Sequence, residues 1–304
     1  MEIVTTSWPV KQTNTYRFKK IDAFAADGSG GNPAGAVYLD DPDALSEAGM
    51  QQVAKELKGF VSEVAYVWPL GETAFGLRYY SSEREVAFCG HATVAVLYDL
   101  LGSDSGLRAL PAVTVHTKND TLTVENRITA EDAVYITAPE ATYRDDVPNR
   151  DAIAEVLGIE ASGIDTAHET TIVNAGLETL IVPIRSLQAI LGVAPDLERL
   201  KVFCLERGID IVILFTPEVH DAQNRYRTRV FAATFGYLED PATGSGNSAF
   251  GYYLLQRGLW NGEPMRIEQN GERSAHNIVR LTTREGRVLF GGGAVVKIEG
   301  HYRL

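Results

Sequence analysis

The sequence has little cysteine and no long apolar run, and each shortage excludes a class of protein. Its two cysteines, Cys89 and Cys204, lie in unrelated surroundings, which indicates free thiols rather than a disulfide framework or a zinc cluster. No apolar run reaches the roughly 18 residues of a membrane-spanning helix, and the N-terminal segment lacks the apolar stretch and cleavage site of a secretory signal. We therefore expect a cytoplasmic protein with no membrane partner.

Basic residues are also in the minority, which argues against nucleic-acid partners. The 304 residues carry 40 acidic and 28 basic side chains, a formal net charge of −12, and no Lys/Arg cluster offers a local exception to the field that repels phosphate. Cofactor motifs are missing as well, because there is no Walker-type loop, no zinc-ligand cluster and no GxGxxG after a strand. The sequence predicts no cofactor, no metal and no nucleic-acid partner.

An internal repeat is the main feature that the sequence does contain. The segment CGHATVAVLYDLL (89–101) aligns without gaps on TGSGNSAFGYYLL (243–255), and both describe an apolar helix after a Gly-rich turn. The identical positions in the first copy are Gly90, Ala95, Tyr98, Leu100 and Leu101. The composition, with 45% hydrophobic and 22% charged residues, is that of a globular protein long enough for two domains.

The similarity continues upstream in the same order. Each half has an Asn/Gly turn, an amphipathic helix, a β-rich segment and an Arg-containing strand before the Gly-rich turn. These features lie at 31–37, 43–57, 61–69 and 78–81 in the first half, and at 173–182, 196–207, 209–217 and 227–233 in the second. Cys204 falls on the apolar face of its helix, so we interpret it as a core residue.

This layout predicts an α+β fold of two pseudo-symmetric halves, each a curved mixed or antiparallel sheet wrapped around a central helix. We place the N-terminal half at 1–130 and the C-terminal half at 131–304, with the final strand near 292–304 packing back on the first half. A single α/β domain with chance similarity is the alternative. The matched order of the features favours duplication.

Two helices that each begin at a Gly-rich turn also suggest a binding site. If a pseudo-twofold axis relates the halves, Gly90-His91 and Gly244-Ser245-Gly246 face each other across the cleft between them. The unpaired N–H groups and positive dipole ends of the helices would then hold a carboxylate. Small residues also mark ordinary tight turns, so either turn alone is weak evidence.

Four segments together resemble one known family. GNPAGAV (31–37), VSEVAYV (61–67), REVAFCGHATVA (84–95) and EDPATGSGNSA (239–249) are similar, in order and spacing, to the phenazine-biosynthesis PhzF-like family of the diaminopimelate epimerase and proline racemase superfamily. The resemblance extends from about Tyr16 onward. It implies two similar halves, a homodimer, no metal or organic cofactor, and acid–base catalysis on a small carboxylate at the cleft.

The resemblance also implies the roles of individual residues. Glu63 matches the catalytic acid/base of the family, and the other polar cleft residues match His91, Asp240 and Ser245. The residues expected to bind substrate are Asn32, Ser62, Gly90, Gly244 and Gly246.

The chemistry of the residues themselves supports the same assignments and leaves structural alternatives open. Glu63 interrupts an apolar strand, where burial would raise its pKa toward neutral pH, although on an alternating strand it could simply face solvent. His91 could carry protons or be an ordinary turn histidine, and Asp240 and Ser245 could be caps. Ser245 lacks a nucleophile elbow, so we interpret it as a hydrogen-bond donor.

One position departs from the pattern of the racemases in this superfamily. They use two cysteines, one on each turn; here Cys89 fills the first position and Thr243 the second, and a threonine hydroxyl is far too weak an acid to replace a thiol. We therefore favour an isomerase that moves a proton with the single carboxyl of Glu63. The alternatives are a Cys89-dependent racemase, epimerase or dehydratase with Thr243 as a hydrogen-bond partner, and a non-catalytic carboxylate-binding protein.

Aromatic residues near these motifs have two interpretations. They could shape a pocket for a cyclic acid, or they could belong to the core, as such residues more often do. These residues are Phe60, Tyr66, Phe88 and Phe235.

Overall fold

The computed structural model describes residues 14–26 and 29–304. The first half contains β1 (Thr15–Ala23), β2 (Asn32–Tyr38), α1 (Glu47–Glu56), β3 (Glu63–Pro69), β4 (Ala74–Ser81), β5 (Glu85–Val86), α2 (Gly90–Ser103), α3 (Ser105–Arg108), β6 (Ala112–His116), β7 (Thr121–Asn126), α4 (Ile128–Glu131) and β8 (Val134–Thr137).

The second half contains β9 (Thr142–Arg144), α5 (Arg150–Leu157), β10 (Thr171–Asn174), β11 (Glu178–Pro183), α6 (Leu187–Gly192), α7 (Leu197–Glu206), β12 (Ile211–Thr216), β13 (Tyr226–Phe231), β14 (Glu239–Asp240), α8 (Gly244–Gln256), β15 (Met265–Gln269), β16 (Asn277–Arg284), β17 (Arg287–Gly292) and β18 (Ala294–Arg303). No helix of the described residues is both long enough and apolar enough to cross a membrane.

The helices begin where polar side chains cap them. Ser46 accepts a hydrogen bond from the backbone N–H of Gly49, and Asp196 accepts one from Arg199. Helix α1 therefore begins at Glu47, later than the predicted start at residue 43, because the Ser46 cap ends the preceding turn. Helix α7 lies within the predicted range 196–207.

The two halves repeat one pattern of strand pairing. In the first half β2 pairs with β1 antiparallel and with β3 parallel, β4 pairs with β3 antiparallel and with β6 parallel, and β6, β7 and β8 follow antiparallel. Strands β10 to β17 repeat the same sequence of parallel and antiparallel pairs. The predicted α+β fold with mixed sheets around central helices is confirmed.

The halves join along the antiparallel pair β8 and β17, in which Ile136 lies opposite Phe290. Following the strand pairings through each half shows that these two residues occupy equivalent positions in the repeat. A local twofold axis therefore passes through the Ile136–Phe290 pair.

The strand that follows each half along the chain pairs with a strand of the other half. Strand β18 pairs with β1 along its whole length, so the segment near 292–304 lies against the first half, and β9 pairs with β10. The division of the chain at residues 130 and 131 stays a prediction; by strand pairing, β8 counts with the first half.

One hydrophobic core runs through both halves. It contains residues of both central helices, such as Val94 and Leu97 of α2 and Phe250 and Tyr253 of α8, all fully buried. Burial of a side chain of this size contributes roughly 1.5–3 kcal/mol, so the two helices hold the sheets together. Smaller outer cores lie under α1 in the first half and under α5 and α7 in the second, and Cys204 is buried in the latter.

Candidate active site

The N-termini of the two central helices meet at the local twofold axis. Helix α2 begins at Gly90 and α8 begins at Gly244, and neither preceding residue caps its helix with a side chain. A Cβ atom on Gly90 would lie 3.1 Å from the ring of Phe290, and one on Gly244 would collide with the same ring. Because both glycines pack on one aromatic ring, the free N–H groups of the two first turns lie close together.

Glu63, Cys89 and His91 form a cluster beside the start of α2. The Cys89 thiol lies 4.0 Å from Glu63 Oε2 and 3.4 Å from His91 Nδ1, and His91 Nε2 lies 3.3 Å from Glu63 Oε2. The side chains of His91 and Glu63 are only 12% and 19% exposed. The first residue of β3 and the first turn of α2 thus place a carboxyl, a thiol and an imidazole within contact distance.

Burial determines the protonation of this cluster. It raises the pKa of Glu63 to about 7, and the nearby charge of Asp240 adds to the effect. Burial lowers the pKa of His91 to about 4, so the imidazole is neutral at pH 7 and its contact with Glu63 is not an ion pair. The pKa of Cys89 is raised well above its usual range, because burial and the charge of Glu63 outweigh the backbone N–H groups of Ala92 and His91.

Asp240 faces this cluster from the second half. Asn32 Nδ2 donates to Asp240 Oδ1 at 2.7 Å, and the Thr243 hydroxyl donates to Asp240 Oδ2. Burial raises the pKa of Asp240 to about 7, while these two donors act to lower it and Glu239 acts to raise it. Both oxygens of the Asp240 carboxyl group therefore accept hydrogen bonds.

The two buried carboxyl groups, those of Glu63 and Asp240, together carry one negative charge near neutral pH. Because neighbouring carboxylates repel each other, one of them keeps its proton near neutral pH. Among the described residues, Glu63 has the Cys89 thiol at 4.0 Å and the neutral imidazole of His91 at 3.3 Å, both on one oxygen, whereas each oxygen of Asp240 accepts a hydrogen bond, one from an amide and one from a hydroxyl. We assign the anion to Asp240 and the titrating proton to Glu63.

The remaining predicted site residues lie around these groups. Asn32 is fully buried and also donates to the backbone oxygen of Ala242 at 2.9 Å, so it ties the first half to the turn that carries Asp240. The exposed Ser62 donates to Asn32 Oδ1 at 3.3 Å. Ser245 is half-buried in the first turn of α8, where the repeat places it at the position of His91, and Gly246 follows it. Their predicted contacts with substrate stay predictions.

Sequence reasoning missed several residues of this region. Gln269, at the end of β15, bonds to Asp240 and Thr243. Asn247 of α8 donates to the side-chain oxygen of Gln269. Burial and the charges of Asp240, Glu63 and Cys89 all raise the pKa of Tyr237, which places its phenol near the cluster. No sequence signal pointed to Gln269, Asn247 or Tyr237, because these residues lie in no recognisable motif. The repeat itself could have indicated Phe290, which lies on the local twofold axis.

The four aromatic residues near the motifs differ in their burial. Tyr66 is fully buried in the outer core of the first half, and Phe88 is half-buried edge-to-face on Tyr79. Phe60 and Phe235 are exposed.

The cluster beside α2 also has the composition of a metal site. One donor atom each of Glu63, Cys89 and His91 lies within 4.8 Å of the other two, and carboxylate, thiolate and imidazole are ligands that zinc accepts. The spacing along the chain did not indicate this grouping, because Glu63 lies on β3 whereas Cys89 and His91 lie at the start of α2. These three residues could hold a divalent metal, and the predicted independence from metal stays a prediction.

Solved structures of other proteins share the fold of two duplicated halves. A hydroxyproline epimerase from Agrobacterium vitis has the same fold, with a TM-score of 0.60 and 14% identity over 95% of this chain and 93% of that chain. The profile of the phenazine biosynthesis-like protein family matches residues 21–300, so the chain belongs to this family. Family membership was predicted from the motifs and is confirmed.

Two further proteins show how far the similarity extends. An uncharacterized isomerase, YfhB of Bacillus subtilis, is 28% identical over 285 residues, which cover 92% of this chain and 94% of that protein. The crystal structure of the PhzF-family phenazine biosynthesis protein of Bacillus anthracis has a TM-score of 0.83 at 24% identity, over 95% of this chain and 99% of that chain. With family relatives named as isomerases, the chain is an enzyme of the isomerase type.

Proposed function

We propose that this protein is a cofactor-independent isomerase that moves a proton on a small carboxylate, with Glu63 as the single acid/base. The observation that carries the proposal is the position of the buried Glu63 carboxyl beside the start of α2, 3.3 Å from His91 and 4.0 Å from the Cys89 thiol, where burial raises its pKa to about 7. A carboxyl group with this pKa is present in both protonation states at neutral pH. It can therefore take a proton from carbon and return it, as general acid–base catalysis requires.

The reaction follows from the placement of the groups. The carboxylate of the substrate binds the free N–H groups at the starts of α2 and α8. Ionised Glu63 takes a proton from carbon, so that a C–H bond breaks and an O–H bond forms while the double bond shifts. The same carboxyl then protonates another carbon, which restores Glu63. His91 and Ser245 serve as neutral hydrogen-bond partners, and Asp240 keeps the pKa of Glu63 high.

A racemase based on Cys89 has one observation in its favour, the contact of the thiol with Glu63 and His91. The high pKa of the thiol makes it a poor base at neutral pH. Thr243 is unavailable as its partner, because the hydroxyl donates to Asp240. A protein that only binds a carboxylate would not need a titrating carboxyl beside its anionic ligand. The substrate, the homodimer and the cytoplasmic location remain parts of the proposal.

Exchange of carbon-bound hydrogen in D₂O tests the mechanism before the physiological substrate is known. Cyclic and amino-acid-like carboxylates are incubated with the enzyme, and deuterium incorporation is followed by NMR. Glu63→Gln keeps the shape of the side chain but cannot accept a proton, so exchange should fall by roughly 10²-fold to 10⁴-fold. Cys89→Ala should retain most of it.

The opposite pattern would replace the proposal. If exchange survives Glu63→Gln and vanishes in Cys89→Ala, the thiol is the base and the protein is a racemase or dehydratase. Dialysis against a chelator belongs in the same series, because a loss of exchange that added metal restores would assign Glu63, Cys89 and His91 to a metal site.

A further inference from the structure

A buried amide outside the proposed catalytic cluster bonds to the turn that carries Asp240. Gln269 is fully buried at the end of β15, where it pairs with Thr228 of β13. Its Nε2 donates to the backbone oxygen of Asp240 at 2.8 Å and to the Thr243 hydroxyl at 3.1 Å. Its Oε1 accepts from the backbone N–H of Thr243 at 3.0 Å and from Asn247 Nδ2 at 2.6 Å.

We propose that Gln269 is a positioning residue, whose amide fixes the direction of the hydrogen bond from Thr243 to Asp240 and so holds Asp240 as the anion opposite Glu63. The inference concerns the free protein, and it rests on the proposed function only where it predicts turnover.

The orientation of the Gln269 amide follows from its backbone partners. The N–H of Thr243 can only donate, so the atom that faces it must be the amide oxygen. The backbone oxygen of Asp240 can only accept, so the atom that faces it must be the amide nitrogen. Turning the amide over would set its nitrogen against the two donors, the N–H of Thr243 and Asn247 Nδ2, and its oxygen against the backbone oxygen of Asp240, which leaves a single arrangement.

This arrangement determines where the hydroxyl hydrogen of Thr243 points. The amide nitrogen of Gln269 donates to the hydroxyl oxygen and cannot accept its hydrogen. Among the described residues, Asp240 Oδ2 is then the remaining acceptor within hydrogen-bond distance of that hydroxyl. With Asn32 donating to Oδ1, both oxygens of Asp240 accept, and the carboxyl has no acceptor for a proton of its own. Hydrogen bonds to the ionised form stabilise it.

The charged and titratable surroundings of Asp240 supply no alternative explanation. It faces Glu63 from β3, Cys89 from the start of α2 and Tyr237 from the loop before β14, with Glu239 as its chain neighbour. These groups are acidic or neutral. Within the described part of the chain, the groups that shift the pKa of Asp240 include no Lys or Arg side chain. Its charge therefore depends on hydrogen-bond donors.

Carbon-13 NMR titration of the aspartate side-chain carboxyls in the free protein tests the inference directly. Asp240→Asn identifies the signal of Asp240. Gln269→Met keeps the approximate shape but removes the donor, which frees the Thr243 hydroxyl to accept a proton from Asp240. We expect Asp240 to titrate about one pH unit higher in this variant. Ile267→Val, a change in the same buried strand without a polar group, should leave the titration unchanged.

A second variant keeps the test decisive if Gln269→Met fails to fold. Thr243→Val removes only the hydroxyl between Gln269 and Asp240 and retains the backbone bond to Gln269, so Asp240 should again titrate at higher pH. Because Gln269 acts through Thr243, the double variant should titrate like Thr243→Val alone. An unchanged titration of Asp240 in either folded variant, or additive effects in the double variant, would refute the positioning role.

The exchange assay separates this inference from the proposed function. With Asp240 protonated over a wider range, Glu63 ionises more easily, so the acid limb of the exchange rate should move to lower pH in Gln269→Met. If the NMR titration changes as expected while exchange in the wild type does not depend on Glu63, the positioning role holds and the acid–base proposal fails. If the titration of Asp240 stays unchanged in Gln269→Met while exchange in the wild type depends on Glu63, the positioning role fails and the acid–base proposal holds.

Discussion

In the first half, the turn before α2 carries Cys89 and His91 and lies beside Glu63; in the second, the equivalent turn carries Thr243 and Ser245 and lies beside Asp240. In the first set, the Cys89 thiol and the neutral His91 imidazole both approach one oxygen of the Glu63 carboxyl; in the second, each oxygen of the Asp240 carboxyl accepts a hydrogen bond. The duplicated scaffold thus presents two buried carboxyl groups with different hydrogen-bond partners.

The supports of the two turns differ in the same way. In α2, the Thr93 hydroxyl donates to the backbone oxygen of Cys89 at 2.7 Å and contacts the Tyr79 hydroxyl at 2.7 Å. In α8, Asn247 donates to the equivalent oxygen of Thr243 at 2.8 Å and contacts Gln269 at 2.6 Å. The turn before α8 is therefore connected to a longer hydrogen-bond network than the turn before α2.

Equivalent ion pairs provide the largest expected difference between the halves. Arg229 pairs with Glu239 through two bonds and also donates to the backbone oxygens of Ile190 and Val193, with 8% of its side chain exposed. Arg229→Met should lower the free energy of unfolding by about 3–5 kcal/mol, since it leaves buried acceptors and a partly buried carboxylate without a partner.

The control for this prediction is the equivalent residue of the first half. Arg78, which pairs with Glu85, is 20% exposed, and its second partner Glu47 is 73% exposed. Arg78→Met should lower the free energy of unfolding by only about 1 kcal/mol. Both are measured by urea unfolding, and equal losses would show that the two pairs are energetically alike.

The helix starts offer a second comparison. Gly244→Ala would force a methyl group into the ring of Phe290 and should lower the free energy of unfolding by about 1–3 kcal/mol. At Gly90 the same ring lies 3.1 Å from the added atom, so Gly90→Ala should cost less than about 1 kcal/mol. Thermal unfolding of the two variants checks this order, and the reverse order would mean that Phe290 packs more tightly on α2.

The last comparison concerns pH and stability. Burial raises the pKa of Glu63 from 4.5 to about 7, so the folded state binds more protons than the unfolded state between these values. Stability from this group is full below about pH 4 and is lost as the pH rises to 7. At the equivalent position, β12 begins with the neutral Ile211. Glu63→Gln should therefore stabilise the protein by about 3 kcal/mol at pH 8 relative to the wild type.

At pH 4 the same variant should match the wild type. Glu72→Gln, at an exposed residue, is the control and should change stability little at either pH. Urea unfolding at pH 4 and pH 8 measures both variants. A Glu63→Gln variant that is no more stable than the wild type at pH 8 would show that the carboxyl ionises in the fold without cost.

Sequence alone predicted the repeated scaffold, because the order of turns, helices and strands is a local pattern that duplication makes visible twice. It also indicated Glu63, His91 and Asp240, since a charged residue in an apolar strand and polar residues on matched turns stand out. It could not indicate Gln269. That residue reaches Thr243 only through the parallel register of β13 and β15, and register depends on the packing of distant strands. The contact of Glu63 with Cys89 also depends on the packing of distant segments, so sequence alone could not predict it.

The exchange of strands between the halves also affects how the chain folds. Strand β18 pairs with β1 from Thr15↔Arg303 to Ala23↔Ala294, so the first strand of the described chain gains its second neighbour only from the last. Contacts this far apart in sequence require a large loop to close, which slows folding. The first half therefore cannot complete its sheet during synthesis until residues 294–303 have left the ribosome.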